Sequence, residues 1–158
     1  MKIKILAVGK LKEKYLVDAC KEYIKRISRF SKIEIEEIEE SKLYKDLPSY
    51  IEKVIEEESE KIISLLNSND YNILLDVMGD SLSSIEFSQL LKKKMDDGKS
   101  NFTFIIGGSY GVSNKLKSIV NQRISLSTLT FPHQLARVII LEQIYRCFKI
   151  LNNEIYHK

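Results

Sequence analysis

A chain of 158 residues with 44% hydrophobic and 30% charged residues and only two prolines has the length of one domain and the composition of a globular protein. No stretch approaches the ~18 consecutive apolar residues of a membrane span, and the opening MKIKILAVGK is too short and too alternating for a signal peptide. A cytoplasmic protein with no membrane partner is expected.

Net charge is +3 but unevenly spread. Residues 1–30 carry nine Lys/Arg against three Asp/Glu (+6), residues 31–70 five against twelve (−7), and residues 71–158 eleven against seven (+4). That distribution suits either a surface facing nucleic acid or ordinary solvated helices. Cys20 and Cys147 lie far apart without CxxC spacing, and the two histidines, His133 and His157, form no HExxH. Reduced packing cysteines and no protein-built metal site are expected.

Ile3, Ile5, Leu6, Ala7 and Val8 predict a first strand ending at Gly9. Tyr15, Leu16, Ala19, Cys20, Tyr23, Ile24, Ile27 and Phe30 then recur at helical spacing. Ile33, Ile35 and Ile38 alternate with glutamates, which predicts a half-exposed edge strand. A connection over 42–49 containing Pro48 leads to a helix with Ile51, Val54, Ile55, Ile62, Leu65 and Leu66 inward and a glutamate-rich outer face. Ile73-Leu74-Leu75 predicts a short strand buried on both faces and stopping at Asp76-Val77-Met78-Gly79. A helix over 83–95 buries Phe87, Leu90 and Leu91; Phe102 to Ile106 forms the next strand, ending in Gly107-Gly108-Ser109-Tyr110-Gly111. A short helix with Leu116, Ile119 and Val120, a strand over 124–127, and a last helix from about Pro132 to Leu151 complete the chain. Strands alternating with helices and no linker predict one α/β domain over 1–158, a mainly parallel sheet with helices on both faces.

The last helix carries apolar residues on more than one stripe: Leu135, Val138, Ile139 and Tyr145 on one, Ile140, Leu141, Ile144, Phe148 and Leu151 on others. A surface that wide calls for burial on a second side, for which another subunit is the expectation. In open α/β sheets ligands sit beyond the carboxyl ends of strands, so Leu75–Gly79, Gly107–Gly111 and Leu126–Phe131 are the candidate loops. GGSYG can let a ligand lie on the backbone or simply serve tight turns. No GxxxxGK[ST] or GxGxxG is present, and Gly9 leads into Lys10-Leu11-Lys12 with no acidic residue to hold a ribose, which disfavours a conventional dinucleotide site. Apolar walls from Leu75, Leu126, Leu129 and Phe131 suit an adenine ring and a thioether. His133 reads as a structural or capping residue. His157 lies in a polar tail where no core demands it, and Arg137, on an otherwise apolar helix, needs a neighbouring subunit or an anionic substrate as partner if buried.

The ordered combination FIIGGSYG, TFPHQ and a terminal YHK, within a chain that begins MKIKILAVGKLKEKY, resembles the ribosomal RNA large subunit methyltransferase H (RlmH) family of the SPOUT superfamily over essentially its whole length. The resemblance implies an α/β fold with a deep C-terminal trefoil knot and a homodimer whose site draws on both subunits. It also implies S-adenosylmethionine as cofactor, with S-adenosylhomocysteine as product and no metal. The implied cofactor contacts are Leu75, Gly107, Leu126, Ser127, Thr128, Leu129, Thr130 and Phe131. The implied substrate is a pseudouridine in helix 69 of 23S rRNA, methylated at N3 within the assembled ribosome. On this resemblance His157 is the candidate for handling the N3 proton, with Lys158 and Arg137 holding phosphate or the developing base anion. Lys10, Lys12 and Lys14, or Lys92, Lys93 and Lys94, are candidates to grip the rRNA backbone. The competing readings are a non-catalytic ribosome-binding factor that uses the basic ends, and a flavodoxin-like nucleotide binder, whose phosphate features the glycine loop lacks.

Overall fold

The computed structural model describes residues 1–156. Five strands, β1 (Lys2–Val8), β2 (Lys32–Ile38), β3 (Tyr71–Ser81), β4 (Asn101–Ile106) and β5 (Gln122–Ser125), form one sheet in the order β2-β1-β4-β3-β5. Every pairing is parallel. Helices α1 (Lys14–Ile27), α2 (Pro48–Leu65), α3 (Ser84–Asp96), α4 (Asn114–Ile119) and α5 (His133–Leu151) alternate with the strands. No helix among the described residues is long and apolar enough to cross a membrane.

The two faces follow from the period-two alternation of side chains along a strand. Ile3, Ile5 and Ala7 of β1, Ile73 of β3, and Phe102, Phe104 and Ile106 of β4 point to one side and pack with α1, α3 and α5. Leu6, Val8, Leu74 and Ile105 point to the other and pack with Ile62 of α2 and Leu116 of α4. Central strands covered twice must be apolar almost throughout, which is why 73–75 read as an unbroken hydrophobic run and 102–106 as one broken only by the buried Thr103. β2 is an edge strand, as its Ile/Glu alternation predicts, and Lys2 and Lys4 of β1 reach its Glu34 and Glu36 at 2.7 and 2.5 Å. Cys20 and Cys147 are buried free thiols, and burial pushes Cys147 up to about 11.

Three local expectations are corrected. β3 does not stop at Asp76. It leaves the β5 ladder after Leu75, loops out through the exposed Val77 and Met78, and rejoins β5 at Asp80 and Ser81. Gly79 permits the return, because a Cβ there would lie 2.7 Å from the backbone of Arg123 and Ile124. β5 runs over 122–125 rather than 124–127; the Ser125 hydroxyl donates to the Ser127 carbonyl at 2.8 Å and turns the chain. Tyr15, placed by periodicity on the buried stripe of α1, is 69% exposed, while Leu16, Cys20 and Ile27 hold that stripe.

α3 begins where its sequence dictates. The Ser83 hydroxyl accepts from the Glu86 amide at 3.2 Å, and the Glu86 carboxylate accepts from the Ser83 amide at 2.7 Å, a reciprocal capping box. The backbone hydrogen bond lowers the Glu86 carboxyl below its ordinary value. Ser83→Ala should therefore destabilise the protein by about 1 kcal/mol in urea unfolding. Stability should also fall more steeply in the wild type than in Glu86→Gln as pH drops through the lowered Glu86 value, because the carboxylate's contribution is present only while it is ionised.

Candidate functional site at the carboxyl ends of three strands

An all-parallel sheet sends every strand-to-helix loop out at one end, and there the protein has a cavity of about 680 Å³. Its walls come from the end of β3 (Leu75, Asp76, Val77), the loop after β4 (Gly107, Gly108, Ser109, Gly111), the segment after β5 (Leu126, Ser127, Leu129, Thr130, Phe131) and the start of α5 (Pro132, His133, Ala136). The three loops marked out from strand geometry thus meet in one space. Of the eight implied cofactor contacts, Leu75, Gly107, Leu126, Ser127, Leu129, Thr130 and Phe131 line it, and Thr128 does not.

The glycine loop is shaped from beneath. The Gly111 amide donates to the Gly108 carbonyl at 3.1 Å, closing a tight turn. A Cβ on Gly107 would lie 2.6 Å from Val112 Cγ1, and one on Gly108 would run into the Glu58 carboxylate. Glu58 is a surprise of the tertiary structure: the glutamate-rich face of α2 reads as solvent-exposed, yet this side chain is only 3% exposed. Its Oε1 accepts from the Ser41 amide at 2.9 Å, and its buried Oε2 has no hydrogen-bond partner. Desolvation raises its carboxyl above the ordinary value, only partly offset by the Ser41 amide. The neighbouring Ser59 hydroxyl accepts from the Ser113 amide at 2.8 Å, so α2 braces both ends of the loop.

His133, read from sequence as structural or capping, makes no capping bond: Pro132 is the N-cap of α5, without a side-chain hydrogen bond. His133 instead lines the cavity, with Nε2 3.3 Å from Glu40 Oε1. Only the packing of the α5 start against the ends of β1 and β2 brings the two together, so no local sequence signal marks them.

Arg137 is completely buried and finds its partner inside the chain rather than in another subunit or a substrate. Its Nη1 donates to Glu37 Oε1 at 2.6 Å, and its Nη2 to the carbonyls of Val8 and Gly9. The guanidinium therefore ties α5 to the ends of β1 and β2, while its buried Nε has no hydrogen-bond partner among the described residues.

His157 and Lys158 lie outside the described residues. Tyr156, which precedes them, donates its hydroxyl to Glu142 Oε1 at 3.1 Å, packs edge-on against Tyr145 and lies under the Arg146 guanidinium. Burial first, and then the negative Glu142, push the Tyr156 phenol up to about 12. The two lysine clusters separate cleanly. α3 runs back from the cavity end, and its Lys94 lies over the ring of Tyr71, the first residue of β3. Lys92, Lys93 and Lys94 are therefore at the far end of the sheet, with Lys92 and Lys94 paired to Asp96 and Asp97. Lys10, Lys12 and Lys14 are at the cavity end, directly after β1.

Comparison with known proteins agrees with this geometry. A family described as "Predicted SPOUT methyltransferase" matches residues 1–157. The chain is 48% identical over 159 residues to the ribosomal RNA large subunit methyltransferase H of Ruminiclostridium cellulolyticum, and 45% identical over 159 residues to that of Enterococcus faecalis, covering 100% of each pair of sequences.

Because burying an ionised Glu58 is unfavourable, unfolding free energy should fall as pH rises from 4.5 through its raised folded value. Glu58→Gln should remove that component and be stabilising above it, as read by urea unfolding at several pH values. Gly108→Ala should lower stability by about 1–3 kcal/mol through overpacking; in the Glu58→Ala background, which vacates the space, most of that loss should disappear.

Proposed function

The chain belongs to the SPOUT methyltransferase family, and on that premise we propose that it methylates large-subunit ribosomal RNA, at N3 of pseudouridine 1915 in helix 69 of 23S rRNA. The reaction takes place in the cytoplasm on the assembled ribosome. The observation that carries this reading is the meeting of Leu75, Gly107 and the 126–131 segment in one cavity. Its size lies within the ~300–1,000 Å³ of small-molecule sites. Leu75, Leu126, Leu129 and Phe131 offer an adenine ring and a thioether apolar walls, and the 107–111 and 126–131 backbones offer amides and carbonyls. Gly107 and Gly108, held bare by Val112 and Glu58 beneath them, bring their backbone directly to the cavity wall. These residues fit S-adenosylmethionine and would hold it.

When bound, the cofactor supplies a sulfonium methyl group that is already electrophilic. The protein's task is then to hold the base in line and manage its proton. Orientation of that kind lowers barriers by roughly 7–11 kcal/mol when the geometry is near-attack. His157 takes the N3 proton and Lys158 holds phosphate or the developing base anion. Arg137 serves from inside the fold as a positioning residue, fixing the start of α5 and with it His133 and Phe131. Tyr156 moors the tail to Glu142 and Arg146.

The reading includes a trefoil knot and a homodimer. A knot is supported by the path after β5: the chain leaves an edge strand, lines the cavity past the ends of β3 and β4, and then packs α5 between α1 and α3. A homodimer is supported by the exposed Leu135, one helical turn before the half-buried Ile139 on α5. Tyr145, by contrast, packs within the chain on Tyr23 and Phe30.

The test is transfer of labelled methyl from S-adenosylmethionine to intact ribosomes, with mapping of the modified nucleotide. Saturable cofactor binding in titration calorimetry is expected; its absence would favour a non-catalytic binding factor. His157→Ala should lower turnover about 10²–10⁴-fold, the usual range for a general base, with cofactor affinity unchanged. Loss of cofactor affinity instead would remove His157 from catalysis.

A further inference from the structure

We infer that residues 10–15 form a preformed RNA platform beside the cavity, on which Tyr15 stacks an unpaired base while Lys10 and Lys12 hold the flanking phosphates. The inference rests on the rRNA reading above and goes beyond it by naming the surface and the form of RNA it takes.

The segment between β1 and α1 has no regular secondary structure through Lys10–Glu13, yet its backbone is tied on one side. Arg137 grips the Gly9 carbonyl. The Leu11 amide donates to Glu37 Oε1 at 3.2 Å and the Lys12 amide to Gln134 Oε1 at 3.4 Å. Leu11 packs inward against the core, whereas Lys10 and Lys12 are exposed. Glu37, the nearest anchoring acid, is occupied by Arg137 at 2.6 Å, and Lys14 is engaged by Asp18 at 2.7 Å. Lys10 and Lys12 have no ion pair among the described residues and remain available to phosphate.

Tyr15 completes the surface. A tyrosine on the first turn of an amphipathic helix belongs to the buried stripe by periodicity, but here the ring faces solvent. An aromatic ring flanked by lysines on a tethered backbone is the arrangement that binds single-stranded nucleic acid, because every base has a face to stack and every nucleotide a phosphate to pair. A rigid duplex offers no such unpaired base. The platform also sits in the right place. Gly9 lies against His133, which lines the cavity, and Gln134, which holds Lys12, is the next residue of α5. The platform thus begins at residues tethered to the cavity wall.

The experiment measures ribosome binding across a salt series, together with the ribosome KM in labelled-methyl transfer, for the full chain and single variants. Tyr15→Ala should weaken ribosome binding about 5- to 100-fold, Tyr15→Phe should restore it, and cofactor affinity and Tm should stay at wild-type values in both. Lys10→Ala and Lys12→Ala should each flatten the slope of log affinity against log salt by about 0.7–0.9; Lys93→Ala should not. Wild-type binding by Tyr15→Ala, a Tyr15→Phe as weak as Tyr15→Ala, or unchanged salt slopes for both lysine variants would overturn the platform while leaving methyl transfer, and so the functional reading, intact. A wild-type protein that neither binds nor methylates ribosomes would overturn both.

Discussion

Arg137 holds together parts of the chain that are distant in sequence. One guanidinium, with five N–H donors in a fixed plane, reaches Glu37 at the end of β2 and the carbonyls of Val8 and Gly9 at the end of β1. Because it is fully buried, its charge is tolerable only with those partners in place. The consequences spread outward. α5 is pinned by its first turns to the sheet, the segment after β5 is brought across the ends of β3 and β4, and the backbone after Gly9 is set for the lysines that follow. Glu37 shares the work, since the same Oε1 that meets Arg137 accepts the Leu11 amide.

The other constraint is the direction of the strands. With all five parallel, the loops that carry glycines, serines and a histidine leave from one end, and the connections at the other end are left to turns and to ion pairs such as Lys92–Asp96. That polarity gives the molecule a working end and a structural end. The working end accepts unfavourable features that a purely structural loop would not need. Glu58 is buried with one oxygen unsatisfied, His133 Nε2 is buried without a hydrogen bond, and Gly107 and Gly108 give up side chains for close packing. Such local unfavourable choices, held in place by the surrounding fold, concentrate where a protein handles a ligand.

Sequence alone determined the elements and their type. Apolar runs gave β1 and β4, each ending at a glycine, and the short strands β3 and β5, while Ile/Glu alternation gave β2; helical periodicity gave five helices, and the alternation of the two predicted a parallel sheet covered on both faces, because these signals are local and each depends on a few neighbouring residues. The candidate loops were legible for the same reason: a loop at the carboxyl end of a strand in such a sheet has only one place to be. What the tertiary structure alone decided were properties set by residues far apart in the chain. The Glu58 side chain was buried by a loop 50 residues away, against the amphipathic pattern of its own helix. Tyr15 was left exposed because α5 packs on the Leu16 and Cys20 side of α1 and not on its own. Arg137 was paired within the chain by Glu37, 100 residues earlier. Lys92–Lys94 were sent to the end remote from the cavity because α3 runs opposite to the strands. Periodicity reports which face of an element is apolar; it carries no information on which distant residue arrives to cover, pair or leave bare a given position.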